Sequence, residues 1–287
     1  MSHSQPSFSR IAIIGVGLLG ASLGLALRKH NLARTIVGVG RKDSPSLDTA
    51  KRIGAIDEAF TEVAPAVSDA DLVVLATPVR QFVKAMQQMA PALKPGAIVT
   101  DVGSTKQDVL GWAAEHLPKH AHFVGSHPMA GSEKRGPEAA RVDLYQNAVC
   151  IVCGDGQSPE AARVEALWQA LGMSVVRTDA STHDRWVARV SHLPHAVAFA
   201  LMNAVSQDPA ALAVSAGGLA DTTRTAASDT QMWLDIFMTN RMAVVGAIND
   251  YLNHLSELRT AIAHGDEPRI RTLLETAKSS REQLKRR

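Results

Sequence analysis

A chain of 287 residues, 46% hydrophobic and 20% charged, has ordinary globular composition and length enough for about two cores, which excludes a disordered or fibrous protein. Thirty Lys and Arg against 28 Asp and Glu leave a formal charge of +2; the basic residues are scattered except for Lys285, Arg286 and Arg287, read as a solvated tail, so no nucleic-acid partner is expected. No run approaches the ~20 apolar residues of a membrane span, and the opening MSHSQPSFSR lacks the apolar middle of a signal peptide, so the expectation is a cytoplasmic chain with no membrane attachment.

In chain order, RIAIIG reads as a strand, GVGLLG as a glycine loop, ASLGLALRKHNL as a helix and TIVGVG as a second strand. In this βαβ setting Gly15, Gly17 and Gly20 match a dinucleotide fingerprint. Gly15 serves a tight turn, Gly17 a close approach of pyrophosphate and Gly20 close packing, while the amides around Leu18 and Leu19 face the phosphates. The plain alternative is a glycine-rich turn with no ligand. A site preferring NAD would end the second strand on Asp or Glu, to bond the ribose hydroxyls. Here Gly40 is followed by Arg41 and Lys42, which points to NADP, with NAD possible. Alternatively, Arg41 and Lys42 are ordinary exposed charges and Asp43 serves the ribose. Thr77 and Pro78 end a third apolar strand, either beside the nicotinamide half of the dinucleotide or as a simple proline stop.

The runs DLVVLAT, AIVTDV, HFVGS, NAVCIVC and VVRT, separated by segments of helical composition, predict a mostly parallel sheet covered on both faces, a Rossmann-type α/β domain over residues 1–178. Cys150 and Cys153 form a C-x-x-C spacing, but a β-branched run sends them to opposite faces, so two buried thiols are expected rather than a redox pair or half a metal site. Beyond Thr178 the chain loses its β-branched runs. Helices are predicted over roughly 182–207, 209–216, 228–263 and 266–284, with Ser228 or Asp229 as a cap and Gly265-Asp266 as a break. Residues 179–287 therefore read as an all-α domain whose Ala- and Leu-rich faces could bury against a second copy, a homodimer.

Two further loops should open at the carboxyl edge of the sheet, where ligands sit: Asp101 to Lys106, and Gly125 to Gly131 after the short strand HFV. His127, set between small residues, can approach a reacting hydroxyl, and an unperturbed pKa near ~6.5 suits proton removal. It is one of 11 histidines, for which a structural role is the ordinary alternative. His192 and His195 share a helix face, but no third ligand accompanies them, so no metal is expected.

Taken in order, GVGLLGASLG, DVGSTK, GSHPMAGSEKRG, VSHLPH and DTTRTAASDTQMW resemble the motifs of the prephenate/arogenate (cyclohexadienyl) dehydrogenases, from about Arg10 to at least Ile236. The resemblance implies oxidative decarboxylation of prephenate and/or arogenate with hydride transfer to NADP+, in tyrosine biosynthesis. It implies that His127 takes the ring hydroxyl's proton as hydride leaves the same carbon. It assigns Ser104 to the same hydroxyl, to orienting His127 and to the cofactor. Arg224 would clamp a substrate carboxylate inside an ionic network with Glu133 and Asp221, and His192 and His195 would line the pocket. Some members carry a basic residue before the D-x-T-R aspartate, where this chain has Ala220, which leaves prephenate against arogenate open. A β-hydroxyacid-type dehydrogenase would want a lysine on a second-domain helix, and none occurs in 180–260. A non-catalytic dinucleotide sensor would keep the glycine loop without needing His127, Ser104 and Arg224. A fused mutase or regulatory domain is not expected, because little chain follows the start of the last helix.

Overall fold

The short apolar runs of the first half become eight strands: β1 (Phe8–Ile14), β2 (Ala33–Val39), β3 (Glu58–Phe60), β4 (Leu72–Leu75), β5 (Ile98–Asp101), β6 (His122–Pro128), β7 (Val149–Cys153) and β8 (Ser174–Thr178). They form one sheet in the order β3-β2-β1-β4-β5-β6-β7-β8, parallel throughout except where β6 meets β7. The structure, a computed structural model, describes residues 8–132, 134–154 and 158–284, and divides into two compact units, Met1–Arg241 and Met242–Arg287. Ile11 to Ile14 and Leu72 to Leu75 are buried on both sides, so the central strands are continuous apolar runs rather than alternating ones. The expected mostly parallel Rossmann-type sheet is the one observed. β3 escaped notice because three residues, one of them charged, make no apolar run.

Helices cover both faces. On one lie α1 (Leu18–Lys29) and α2 (Ser46–Arg52), on the other α3 (Val63–Val67), α4 (Phe82–Met89) and α5 (Gln107–His116); α6 (Pro159–Ala170) shares the face of α1. Leu23, Leu27, Leu167 and Trp168 fill the first core, and Phe82, Met86, Met89 and Val109 the second. Each such side chain contributes about 1.5–3 kcal/mol by leaving water. The face-switching of β7 is visible in its thiols: Cys150 joins the first core, while Cys153 packs with Ile151 and Val187 on the opposite side. Both are free and buried, and burial pushes the Cys153 thiol up to about 12, which removes its thiolate at neutral pH.

After β8 the chain is helical. α7 (Ala180–Val187) starts where Asp179 accepts a bond from Thr182 N at 2.8 Å. It widens into a π turn over Ala188–His192 and resumes as α8 (Leu193–Val205). The expected single helix over 182–207 is thus interrupted, because Pro194 has no N–H and its ring needs room one turn back, which the wide turn supplies. α9 (Pro209–Ala213) begins at Asp208, and α10 (Gly217–Thr223) leads into a tight turn over Arg224–Ala227. The poor helix formers Gly217 and Gly218 hid α10 from the sequence. α11 (Thr230–Thr239) is capped by Asp229, which accepts from Met232 N at 2.5 Å. The predicted helix over 228–263 breaks at Asn240, whose φ of −127° leaves the helical region.

α12 (Arg241–His264) runs to Gly265, at φ +64°, and α13 (Glu267–Leu284) follows. Arg269 of α13 pairs with Glu257 of α12 across that turn, while Leu252, Leu255, Ile262 and Leu274 remain exposed. Among the described residues no helix is long and apolar enough to cross a membrane.

Gly24 tests how tightly α1 seats. A Cβ there would lie 2.0 Å from the Ala55 carbonyl oxygen, a backbone atom that cannot step aside cheaply. Gly24→Ala should therefore destabilise the fold by about 1–3 kcal/mol. An unchanged urea midpoint would contradict the close seating.

Candidate active site

The glycine loop sits at the point where strand order reverses, between β1 and β4. Gly15 donates its N–H to the Val39 carbonyl at 2.9 Å and holds φ +102°. A Cβ on it would lie 2.7 Å from the Ala76 oxygen and 2.9 Å from Thr77 Cγ2, so the turn admits only glycine. At Gly20 a Cβ would meet the Gly15 oxygen at 2.0 Å, whereas Gly17 faces open space. No side chain caps α1 at Gly17, so the first-turn amides, including those of Leu18 and Leu19, point at that opening. Thr77 Oγ1 is buried there without a partner, and Pro78 is exposed beside it. An open glycine face, an uncapped helix start and an orphaned hydroxyl fit a dinucleotide pyrophosphate. At the end of β2, a Cβ on Gly40 would lie 2.9 Å from Leu47 Cγ, so packing disfavours a carboxylate at that position. Arg41, Lys42 and Asp43 are exposed, and none forms an ion pair among the described residues.

His127 is not in a loop, as expected from the sequence, but in β6 itself. β6 parts from β5 after Val124 and continues as the antiparallel partner of β7, with His127 opposite Ile151. The residue is buried, 7% exposed. Its backbone seat is set by the preceding residue: Ser126 donates its N–H to Asp101 Oδ1 at 3.0 Å and its hydroxyl to the Asp101 carbonyl at 2.5 Å. Asp101 Oδ2 in turn accepts from Gly103 N and pairs with Lys106, both charges having no contact with water. The His127 ring bonds through Nδ1 to His183 Nε2 at 2.8 Å, and His183 Nδ1 reaches Asp184 Oδ1 at 2.7 Å. His127 Nε2 has no hydrogen-bond partner among the described residues. Ser104, half-buried in the turn after β5, makes no hydrogen bond among the described residues, and the bond at His127 Nδ1 is to His183.

Behind this pair, Asn240 donates to the Asp184 carbonyl at 2.9 Å and meets His192 Nδ1 at 3.1 Å. His192 stands edge-on to Trp233, with ring centres 5.8 Å apart, and His195 stacks on the same indole at 3.8 Å. His192 Nε2 and Trp233 Nε1 are buried with no partner. Arg224 is exposed at the start of its tight turn, close enough for its charge to be felt at His195. The expected ionic network is not present between Arg224 and Asp221. Among the described residues neither has an ion-pair partner, and both are exposed. Glu133 lies outside the described residues. A different pair stands nearby, Arg135 with Asp229. Among the described residues no group of three or more His, Cys, Asp or Glu could hold a metal ion.

His183, Asp184, Trp233 and Asn240 were not anticipated. The segment STHDRW carries ordinary helix-start chemistry, and nothing local marks a partner 56 residues from His127.

Two family profiles match the chain: the nucleotide-binding domain of prephenate dehydrogenase over residues 23–177 and its dimerization domain over residues 179–276. The cyclohexadienyl dehydrogenase of Zymomonas mobilis is 35% identical over 266 residues, 90% of each chain. The prephenate dehydrogenase of Bacillus subtilis is 33% identical over 282 residues, 96% of this chain and 76% of its own. Among solved structures, prephenate dehydrogenase from A. aeolicus in complex with hydroxyphenyl propionate and NAD+ superposes with a TM-score of 0.91 at 32% identity, over 98% of this chain and 100% of that one.

The site's electrostatics predict an acid-sensitive fold. Burial, reinforced by His183, Lys106 and His192, holds His127 well below the usual histidine range; burial likewise lowers His183 and His195 and brings His192 down to about 4. The unfolded chain binds protons on these rings below about pH 6.5 while the folded chain does not, so unfolding free energy must fall as pH drops from ~6.5 towards 4. Urea midpoints should be lower at pH 5.5 than at pH 7.5. A midpoint that holds or rises on acidification would refute the neutral cluster.

Proposed function

Because this chain belongs to the prephenate/arogenate dehydrogenase family, we propose that it oxidatively decarboxylates prephenate and/or arogenate with hydride transfer to NADP+, a step of tyrosine biosynthesis. It is an oxidoreductase of a nicotinamide dinucleotide. The observation that carries the reading is a neutral histidine at the carboxyl end of β6, with one ring nitrogen held and the other unpartnered among the described residues.

When bound, the dinucleotide supplies an acceptor for the hydride. Gly15, Gly17, Leu18, Leu19, Gly20, Thr77, Pro78 and Ser104 hold it in this reading. His127 Nε2 accepts the proton of the ring hydroxyl as the carbinol carbon loses its hydride and becomes a carbonyl. The ring carboxylate then leaves as CO2, and its electron pair completes the aromatic ring. Ser104 contributes a second bond to the reacting hydroxyl. Arg224, an unpaired guanidinium, clamps a substrate carboxylate, with Asp221 and Glu133 as acidic neighbours at the mouth. His192 and His195 line the pocket, where His192 Nε2 has a bond to give, because its Nδ1 accepts from Asn240. Two supports favour NADP: the Leu47 side chain disfavours an acidic side chain at position 40, and Arg41 and Lys42 form no ion pair among the described residues that would compete with a 2′-phosphate. In this reading residues 1–178 bind the dinucleotide and residues 179–287 contribute substrate contacts and a homodimer interface, supported by the exposed Leu252, Leu255, Ile262 and Leu274.

Steady-state formation of NADPH and of NADH, each with prephenate and with arogenate, is the direct test. His127→Asn should lower kcat about 10²–10⁴-fold with KM little changed. Turnover with neither acid, or an undiminished His127→Asn enzyme, would refute the assignment. Replacing Arg41 and Lys42 by Ala should raise KM for NADP+ by roughly tenfold, the equivalent of ~1.4 kcal/mol, and leave NAD+ nearly unaffected. An equal effect on both cofactors would move the 2′-phosphate contact elsewhere.

A further inference from the structure

The proton positions in the chain Asp184, His183, His127 can be counted from its two ends. Asp184 accepts the Lys106 amide at Oδ1, 2.8 Å away, and the Gln107 amide at Oδ2, 3.0 Å away. It reaches these amides from α7, and so fixes the start of α5 and the His183 ring together. A carboxylate has only lone pairs to offer, so the proton in the 2.7 Å bond to His183 belongs to His183 Nδ1. His183 is completely buried, and burial, aided by the Lys106 ammonium, keeps its ring neutral. A neutral imidazole carries one N–H, which leaves His183 Nε2 as an acceptor. The proton in the 2.8 Å bond between the two rings is therefore on His127 Nδ1. By the same count His127 Nε2, the unpartnered atom, holds a lone pair.

We propose that His183, anchored by Asp184, is a positioning residue that fixes the tautomer and ring orientation of His127 so that Nε2 is presented as a proton acceptor. This rests on the reading of His127 as the base. The opposite tautomer would present an N–H to the substrate hydroxyl and could not take its proton. An orienting partner behind a working imidazole has this effect elsewhere, and its loss is felt in rate rather than in binding.

The tautomer can be read without turnover, by long-range 15N–1H correlation of histidine-labelled protein at pH 7.5, with His127→Asn assigning the ring. The expected pattern is a protonated Nδ1 and an unprotonated Nε2 on His127. His183→Leu removes both bonds and should mix the tautomers, lowering kcat about 10–100-fold with KM within about twofold. His183→Gln keeps the polarity, since its amide oxygen can accept from His127 and its NH2 can donate to Asp184. It should therefore fall between wild type and His183→Leu in kcat. Urea midpoints for each variant separate loss of positioning from loss of fold. A wild-type His127 protonated on Nε2, a His183→Leu enzyme with full kcat, or a His183→Gln enzyme no faster than His183→Leu would overturn the proposal. Should His183→Leu not fold, the wild-type spectrum decides alone. Should the wild type turn over neither acid, the functional reading falls while the spectrum still settles the tautomer.

Discussion

A carboxylate and an ammonium without any contact with water each lose several kcal/mol of hydration, and survive only where their remaining valences are met. Asp101 and Lys106 satisfy that condition. Asp101 takes the amides of Gly103 and Ser126 besides the ammonium, and Lys106 also bonds the Thr105 carbonyl at 2.9 Å. The pair therefore ties the end of β5, the turn after it and the middle of β6 into one unit. His127 follows Ser126 directly, so its seat depends on this pair. The ammonium also sets the charge of the neighbourhood, since a positive group in a dry interior opposes protonation of any imidazole near it.

That electrostatic setting explains how several histidines can share one buried region. Neutral rings can be packed as aromatic bodies, and they are: His127 against His183, His192 and His195 against Trp233. Four imidazolium ions could not be. The arrangement still leaves Thr77 Oγ1, His192 Nε2 and Trp233 Nε1 buried without partners, each costing about 1–3 kcal/mol. Native folds keep few such atoms, and Trp168 Nε1, in the first core, is another.

The parts of this molecule legible in the sequence are those whose physics is local. β-branched runs made strands, glycines at Gly15 and Gly20 marked a turn and a tight contact, and Asp229 announced a helix start. What was hidden depends on contacts between distant segments. β6 looked like the three residues HFV because only its first half pairs with β5; the rest, carrying His127, is a strand by virtue of β7. Asn240 breaks a long helix because its amide is drawn to Asp184 and His192, a reason no periodicity can display. The site divides in the same way. Its small-residue setting singled out His127, and the family resemblance singled out His192 and His195, whereas His183 and Asp184 sit in a plain helix start.

The π turn over Ala188–His192 carries one residue more per turn than the helices on either side. In rotational terms it is a phase shift of about 100° between α7 and α8. With that offset, Asp184 before the turn and His192 at its end both come within reach of one Asn240 side chain. An uninterrupted α-helix would turn one of them aside. The wide turn thus works as a vernier between two rigid rods, and loss of a single residue from it would swing every side chain of α8 out of register with the pocket while leaving each helix intact.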